Sequence, residues 1–227
     1  MKEIVLDYWA IIKGSSLTRL FGPECYGGLS LPNLYITQGT DKLCLFLGHL
    51  RTQDRTGKLI HIDVTYVQLL TGSGTLFLNQ PECDYKWLES GWLQSLWSFT
   101  SIYSFAFLYP NGWTPTKPRE NDQFIMEDFI RQRIPLKHMW ILNRCRLYLQ
   151  VITLSNFTTA DGLIILPEVK QGIRIEDRPS TLQWPTQDDP PQSEWRIWRQ
   201  CLQSFEQKGK PLQPLGQWIA PSHQHWC

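Results

Sequence analysis

Apolar residues recur at helical spacing along most of the chain, and the breaks in that recurrence mark where elements start and stop. Residues 2–13 read as a helix with Ile4, Tyr8, Trp9, Ile11 and Ile12 on its apolar side, broken at Gly14-Ser15-Ser16. After Pro32, Asn33 is expected to cap a second helix that runs to about Arg51. Its residues Leu43, Phe46, Leu47 and Leu50 fall at the i, i+3, i+4, i+7 spacing of one buried face. Thr56-Gly57-Lys58 reads as a turn. Asp63 then reads as the cap of a shorter helix carrying Val64, Val67 and Leu70, stopped by Gly72-Ser73-Gly74.

Aromatic residues crowd the stretch from Tyr85 to Phe107, with Gly91 as an expected kink. Its first half suits helix; residues 101–109 fit helix and strand equally well. A loop is expected from Pro110 to Pro118, and a helix over 120–133 with Phe124, Ile125, Phe129 and Ile130 inward. Pro135 should open a longer helix to about Ser155 with Leu142, Cys145, Leu149 and Ile152 as its core face. Thr159 to Gly162 would end it, and Leu163 to Leu166 is a short strand or a buried extension. Pro179, Pro185, Pro190 and Pro191 make 176–192 a Pro-rich linker. Ser193 should cap a last helix with Trp195, Trp198, Leu202 and Phe205 on one face, followed by an unstructured tail from Gly209. The expected architecture is mainly α: an irregular helical bundle with long loops and few short strands. It divides into a helical region 1–175, the linker 176–192, and a short helix plus tail at 193–227.

Composition changes this picture in two ways. With eleven Trp, eight Tyr and ten Phe, several rings should be buried against one another or against a partner. A formal net charge of +1 argues against strong, free-standing nucleic-acid binding, so any such contact must come from a local patch. The six cysteines are scattered without a C-x-x-C pair, which excludes a dense disulfide framework. Glu3, Asp7 and Lys13 interrupt what would be the apolar core of a signal peptide, and no apolar run is long enough to span a membrane. The chain is expected to be intracellular and reduced, with nucleus and cytoplasm both open and no membrane partner.

Candidate chemistry is sparse. Asp188-Asp189 is the only paired aspartate, but flanking prolines prevent the hairpin that a two-metal site needs. Asp161 precedes an apolar run where a turn residue is expected in any case. His223, His225 and Cys227 could ligate zinc but lack a complementary pair upstream, so no metal ligand is assigned. Asn156-Phe157-Thr158 matches a glycosylation acceptor that stays silent without secretion. The electrostatic feature above background is the run Arg131, Arg133, Lys137, Arg144 and Arg146, which contains no acidic residue between Phe129 and Ala160. On the expected helix Lys137, Trp140 and Arg144 share one face, away from Leu142, Cys145 and Leu149. Such a stripe can grip a phosphate backbone and stack on a base; the alternative is a solvated face whose arginine stems cover Trp140.

Five stretches carry a family resemblance: Tyr26-Gly27-Gly28-Leu29-Ser30-Leu31-Pro32-Asn33, Leu47-Gly48-His49-Leu50-Arg51, Tyr66-Val67-Gln68-Leu69-Leu70-Thr71-Gly72, Asn143 to Val151, and Pro214-Leu215-Gly216-Gln217-Trp218. Together they resemble the region C-terminal to the polymerase core in LINE-type (non-LTR) retrotransposon reverse transcriptases. In the first stretch Gly27 and Gly28 permit a tight structural turn, Leu29 and Leu31 are expected to insert as apolar anchors, and Pro32 fixes the approach to a helix. The resemblance implies that 1–175 is a post-thumb-like region, incomplete as an isolated domain, and that the chain is a truncated copy whose polymerase core lies before Met1. It implies RNA-directed DNA synthesis, with magnesium, for the parent protein only. No catalytic aspartate maps onto this chain, so it is expected to be no enzyme and to hold no cofactor. The implied role is support of an upstream polymerase domain and contact with RNA or an RNA–DNA duplex. The alternatives are an intracellular helical module that binds a protein partner, and a decayed fragment without activity.

Overall fold

The computed structural model describes residues 17–89, 91–109, 112–175 and 183–219. The helix expected at 2–13 and the His223, His225, Cys227 group lie outside them. Among the described residues the fold is mainly α, with eight helices and one two-stranded hairpin. In chain order the helices are α1 (Leu17–Phe21), α2 (Leu34–Thr52), α3 (Arg55–Thr71), α4 (Leu93–Ile102), α5 (Ile125–Arg131), α6 (Leu136–Leu149), α7 (Pro167–Gln171) and α8 (Gln192–Leu202). None of the described helices is long and apolar enough to cross a membrane.

Helix α2 starts where the sequence predicts. The Asn33 carboxamide oxygen accepts from the Tyr35 and Ile36 amides, which replaces two of the bonds that a helix start lacks. The expected turn at Thr56 to Lys58 is instead the first turn of α3, capped by Asp54 rather than Asp63. Gly57 serves close approach here: a Cβ at this position would lie 2.0 Å from the His49 carbonyl oxygen. The end of α2 and the start of α3 therefore touch through backbone, with Asp54 accepting from the Gly57 amide at 2.7 Å and from His49 Nδ1 at 2.8 Å. Gly72, in the left-handed region, ends α3 as expected.

One continuous core then forms from Phe46 to Leu215. The buried rings of Phe77, Tyr85 and Trp97 pack edge-on or tilted, with Phe77 and Trp97 centroids 4.9 Å apart. Helix α4 stops at Ile102, and residues 103–109 are neither helix nor strand. Their amides find other partners, as where Asn79 brackets Phe107 by accepting from its amide and donating to its carbonyl.

Helix α6 ends at Gln150 in the left-handed region, earlier than Ser155. Ile152 is buried beyond the helix, where its carbonyl accepts from the Ile125 amide at 3.2 Å. Helix α8 begins at Gln192 without a side-chain cap, because the Pro191 carbonyl takes the Glu194 and Trp195 amides and Ser193 is not needed. Trp195, Trp198, Leu202 and Phe205 all bury, so α8 belongs to the main core instead of standing apart. The indole of Trp198 donates to the Val169 carbonyl and that of Trp195 to Asp189, which satisfies both buried N–H groups.

From Gly209 to Ile219 the chain is not loose. Lys208 and Gly209, both at positive φ, close a tight hairpin between β1 (Glu206–Gln207) and β2 (Lys210–Pro211). Farther on, Glu120 exchanges backbone bonds with Gly216 and Gln217. The buried Arg119 donates to the Gly216, Ala160 and Asp161 carbonyls and lies 4.9 Å from the centroid of the Trp218 ring. This clasp orders the segment through Ile219.

A second buried arginine ties two helix ends together. Arg146 is 0% exposed and donates from Nη2 to the Leu69 and Leu70 carbonyls at 2.8 and 3.0 Å, at the C-terminus of α3. Its Nε and Nη2 also reach Asn143 Oδ1. Burial pushes the guanidinium down to about 9, which leaves it charged at neutral pH.

Two predictions follow from these contacts. Arg146→Ala should lose roughly 3–5 kcal/mol in urea denaturation, because it leaves buried carbonyls without donors and opens a cavity. Arg146→Lys should recover only part, since an ammonium cannot span the same fork; a loss within experimental error for the alanine variant would remove Arg146 from this role. Asp54 behaves oppositely to a buried acid: its bond from the Gly57 amide, then His49, lowers its pKa from the usual 3.8. Its contribution is thus present above 3.8 and lost as pH falls through the lower folded value. Asp54→Ala should lower Tm at neutral pH, with a difference that shrinks on acidification.

Candidate nucleic-acid interface

Helix α6 sorts the six residues expected at a nucleic-acid interface by helical phase. Lys137, Trp140 and Arg144 lie on one face, with Trp140 53% exposed and the Arg144 guanidinium 5.8 Å from its ring centroid. Arg146 falls on the opposite side and is corrected here to a core residue, beyond reach of any nucleic acid. A 100° step per residue sets it about 200° from Arg144 and in register with Leu142 and Leu149. Helical phase, more than charge alone, is the sequence signal that separates Arg146 from the stripe.

The other basic residues spread out. Arg131 extends from the end of α5 and pairs with Asp128. Burial pushes the Asp128 carboxyl up, opposed by the Arg131 charge. Arg133 is exposed in the following turn, at positive φ, and is not gathered with the α6 stripe by any described contact. Arg144 pairs with Glu194 of α8 at 3.2 Å, so part of its charge is already answered.

The stripe forms one wall of an open groove of about 890 Å³. Tyr66 and Leu70 of α3 and the turn at Lys86 to Glu89 form other parts of the lining. Lys86 adds a cation that comes from far away in sequence, while Glu89 and Asp188 add carboxylates. Lys86 and Tyr66 carry no local signal, because only tertiary packing brings α3 and the turn at Lys86 to α6. The groove therefore offers a half-exposed indole, a phenol and three cations, offset by acids. It suits a flat ring flanked by one or two phosphates better than a long polyanion.

The donor sets available for a metal are thin. Asp188 and Asp189 lie in an extended exposed stretch, and Asp189 accepts from the Trp195 indole at 3.1 Å, so this pair does not fit the rigid two-carboxylate platform of a magnesium polymerase. Asp161 closes its own turn, accepting from the Leu163 amide and the Thr159 hydroxyl. Among the described residues no three His, Cys, Asp or Glu side chains gather as a metal-holding group. The buried Cys145 thiol is pushed up to about 12, mainly by desolvation.

The structural turn is built as two different uses of glycine. Gly27 takes φ 76°, capping the short turn Glu24–Tyr26. At Gly28 a Cβ would lie 2.0 Å from the Gly22 carbonyl oxygen, so the chain passes backbone on backbone. The Leu29, Ser30 and Leu31 amides then bond the Arg19, Gly22 and Leu20 carbonyls. Leu29, however, is 39% exposed and is not the buried anchor expected of it. Backbone bonds hold this turn, and Pro32 leads directly to the Asn33 cap.

Comparisons with protein-family models, with curated proteins and with solved structures found no match. Roles for these residues therefore rest on geometry. Gly28→Ala should speed amide hydrogen exchange at Leu29, Ser30 and Leu31 far more than Gly27→Ala, whose cost is a left-handed alanine of about 1 kcal/mol. Equal effects would mean that the close approach to Gly22 does not organise the turn.

Proposed function

We propose that this chain is a non-catalytic, intracellular support segment of a LINE-type reverse transcriptase. In that role it sits beside an upstream polymerase domain and touches RNA or an RNA–DNA duplex through the α6 groove. One observation carries the nucleic-acid part: Trp140 stands half-exposed between Lys137 and Arg144 on the wall of an open groove that Lys86 also lines. A base or sugar can stack on the indole while phosphates meet Lys137 and Lys86. Arg144 contributes less, because Glu194 competes for its guanidinium. The contact is local and positional, in keeping with a net charge of +1. The family assignment rests on the five sequence stretches and on no other observation.

Binding of single-stranded RNA and of an RNA–DNA duplex across a salt series tests this reading. Contact with about two phosphates, at Lys137 and Lys86, gives a log–log salt slope of about −1.4 on a single strand. Lys137→Ala should flatten the slope by about 0.7. Trp140→Ala should weaken binding by about 1–3 kcal/mol while leaving the slope alone. No detectable binding at low salt, or binding indifferent to both substitutions, defeats the proposal.

A further inference from the structure

A second groove, of about 690 Å³, opens at the other end of α3 from the α6 groove. Its floor is Phe46, 1% exposed, with the Phe107 ring edge-on at a centroid distance of 5.9 Å. Leu47, Ile62 and Leu108 stand around the mouth with much of their surface bare; Ile62 is 59% exposed and Leu108 wholly so. A row of large aliphatic side chains around an apolar floor excludes water poorly by itself and gains from a covering apolar surface.

The charge around this groove is one-sided. Arg51, Lys58 and His61 line it, and among the described residues no Asp or Glu does. Arg51 and Lys58 are exposed, whereas His61 is partly covered by its edge-on contact with Trp113 at 5.4 Å. An apolar trough with a cationic rim matches an amphipathic peptide whose apolar side chains enter the trough and whose flanking acids meet the rim. A nucleic acid fits less well. Its bases need flat open rings, and the most exposed walls here are the aliphatic chains of Leu47, Ile62 and Leu108, while the rings of Phe107, Tyr109 and Trp113 are partly buried.

We propose that the groove lined by α2, α3, Phe107 to Tyr109 and Trp113 is a docking site for an acidic amphipathic helix of a protein partner. The occupant presents two or three large apolar residues at i, i+3 or i+4, i+7 spacing to Leu47, Ile62 and Leu108. Glutamate or aspartate at its edges faces Arg51 and Lys58. The site is independent of the α6 groove, so it stands or falls separately from nucleic-acid binding.

The test uses the full chain and a fluorescent model peptide of about four helical turns, with leucines at that spacing and glutamates at its edges. Fluorescence anisotropy should give saturable binding, at least about tenfold tighter than for the same peptide with lysines in place of the glutamates. The double variant Arg51→Glu, Lys58→Glu should reverse that preference. Ile62→Asp should abolish binding of both peptides with little change in Tm, because Ile62 is largely exposed in the free chain. Equal affinity for the two peptides, absence of binding, or preferential capture of oligouridylate at this groove, blocked by Ile62→Asp, overturns the proposal. Concentration-dependent self-association abolished by Ile62→Asp also overturns it, by assigning the groove to a second copy.

Discussion

The guanidinium of Arg146 is the contact on which the arrangement of helices depends. A cation with no solvent exposure survives because its donors meet carbonyls at the C-terminus of α3 and the amide oxygen of Asn143 on its own helix. Those carbonyls are the ones that a helix end leaves without partners, and they lie at the negative pole of its dipole. The arrangement answers two costs at once, an unpaired buried charge and unpaired helix-end oxygens. It also fixes where α3 stops relative to α6. Packing at Gly72 is equally tight, since a Cβ there would sit 3.0 Å from Arg146 Cζ.

Seen from that contact, the stretches carrying the family resemblance acquire physical content. Tyr66 to Gly72 supplies Leu69 and Leu70, whose carbonyls receive Arg146, and Gln68, whose buried amide bonds Ser73, Thr75 and Phe77 to shape the next turn. Asn143 to Val151 supplies the guanidinium and the Asn143 that orients it. Pro214 to Trp218 meets the other buried arginine, Arg119. Leu47 to Arg51 contains His49, whose carbonyl demands Gly57 and whose ring bonds Asp54. Each of these stretches joins elements. None of them assembles a reaction centre among the described residues.

Local chemistry made much of the helical fold legible in the sequence. The Asn33 cap, the Gly72 stop, and the Trp195, Trp198, Leu202, Phe205 face all depend on residues close in sequence, and each appears where the pattern puts it. Gly57 misled because glycine marks a turn in most contexts, whereas here it admits a carbonyl from the preceding helix. The tail misled for the opposite reason. Its Pro and Gln content carries no periodicity, and the order of its described part, through Ile219, comes from Glu120 and Arg119, far away along the chain. In the candidate site, Lys137 and Trp140 were readable from helical phase. Lys86 and Tyr66 join them only through tertiary packing, which no local pattern encodes.

The same accounting explains why a run of five cations does not make a basic surface. Arg146 faces the core, Arg144 answers Glu194, and Arg131 answers Asp128. At Arg146 the planar fork satisfies several oxygens at once, where a lysine would leave some unpaired, whereas Arg131 and Arg144 each bond a single carboxylate oxygen. What reaches solvent from α6 is Lys137 beside a half-exposed indole. A surface of that kind has too little charge to steer a polyanion from a distance, since exposed charges are screened beyond about 8 Å at physiological salt. On the proposed reading it adds a weak, short-range contact to a strand, measurable by itself at low salt. A contact of this kind is of use where another domain supplies the grip, and that is the physical sense in which support, more than capture, suits the α6 groove.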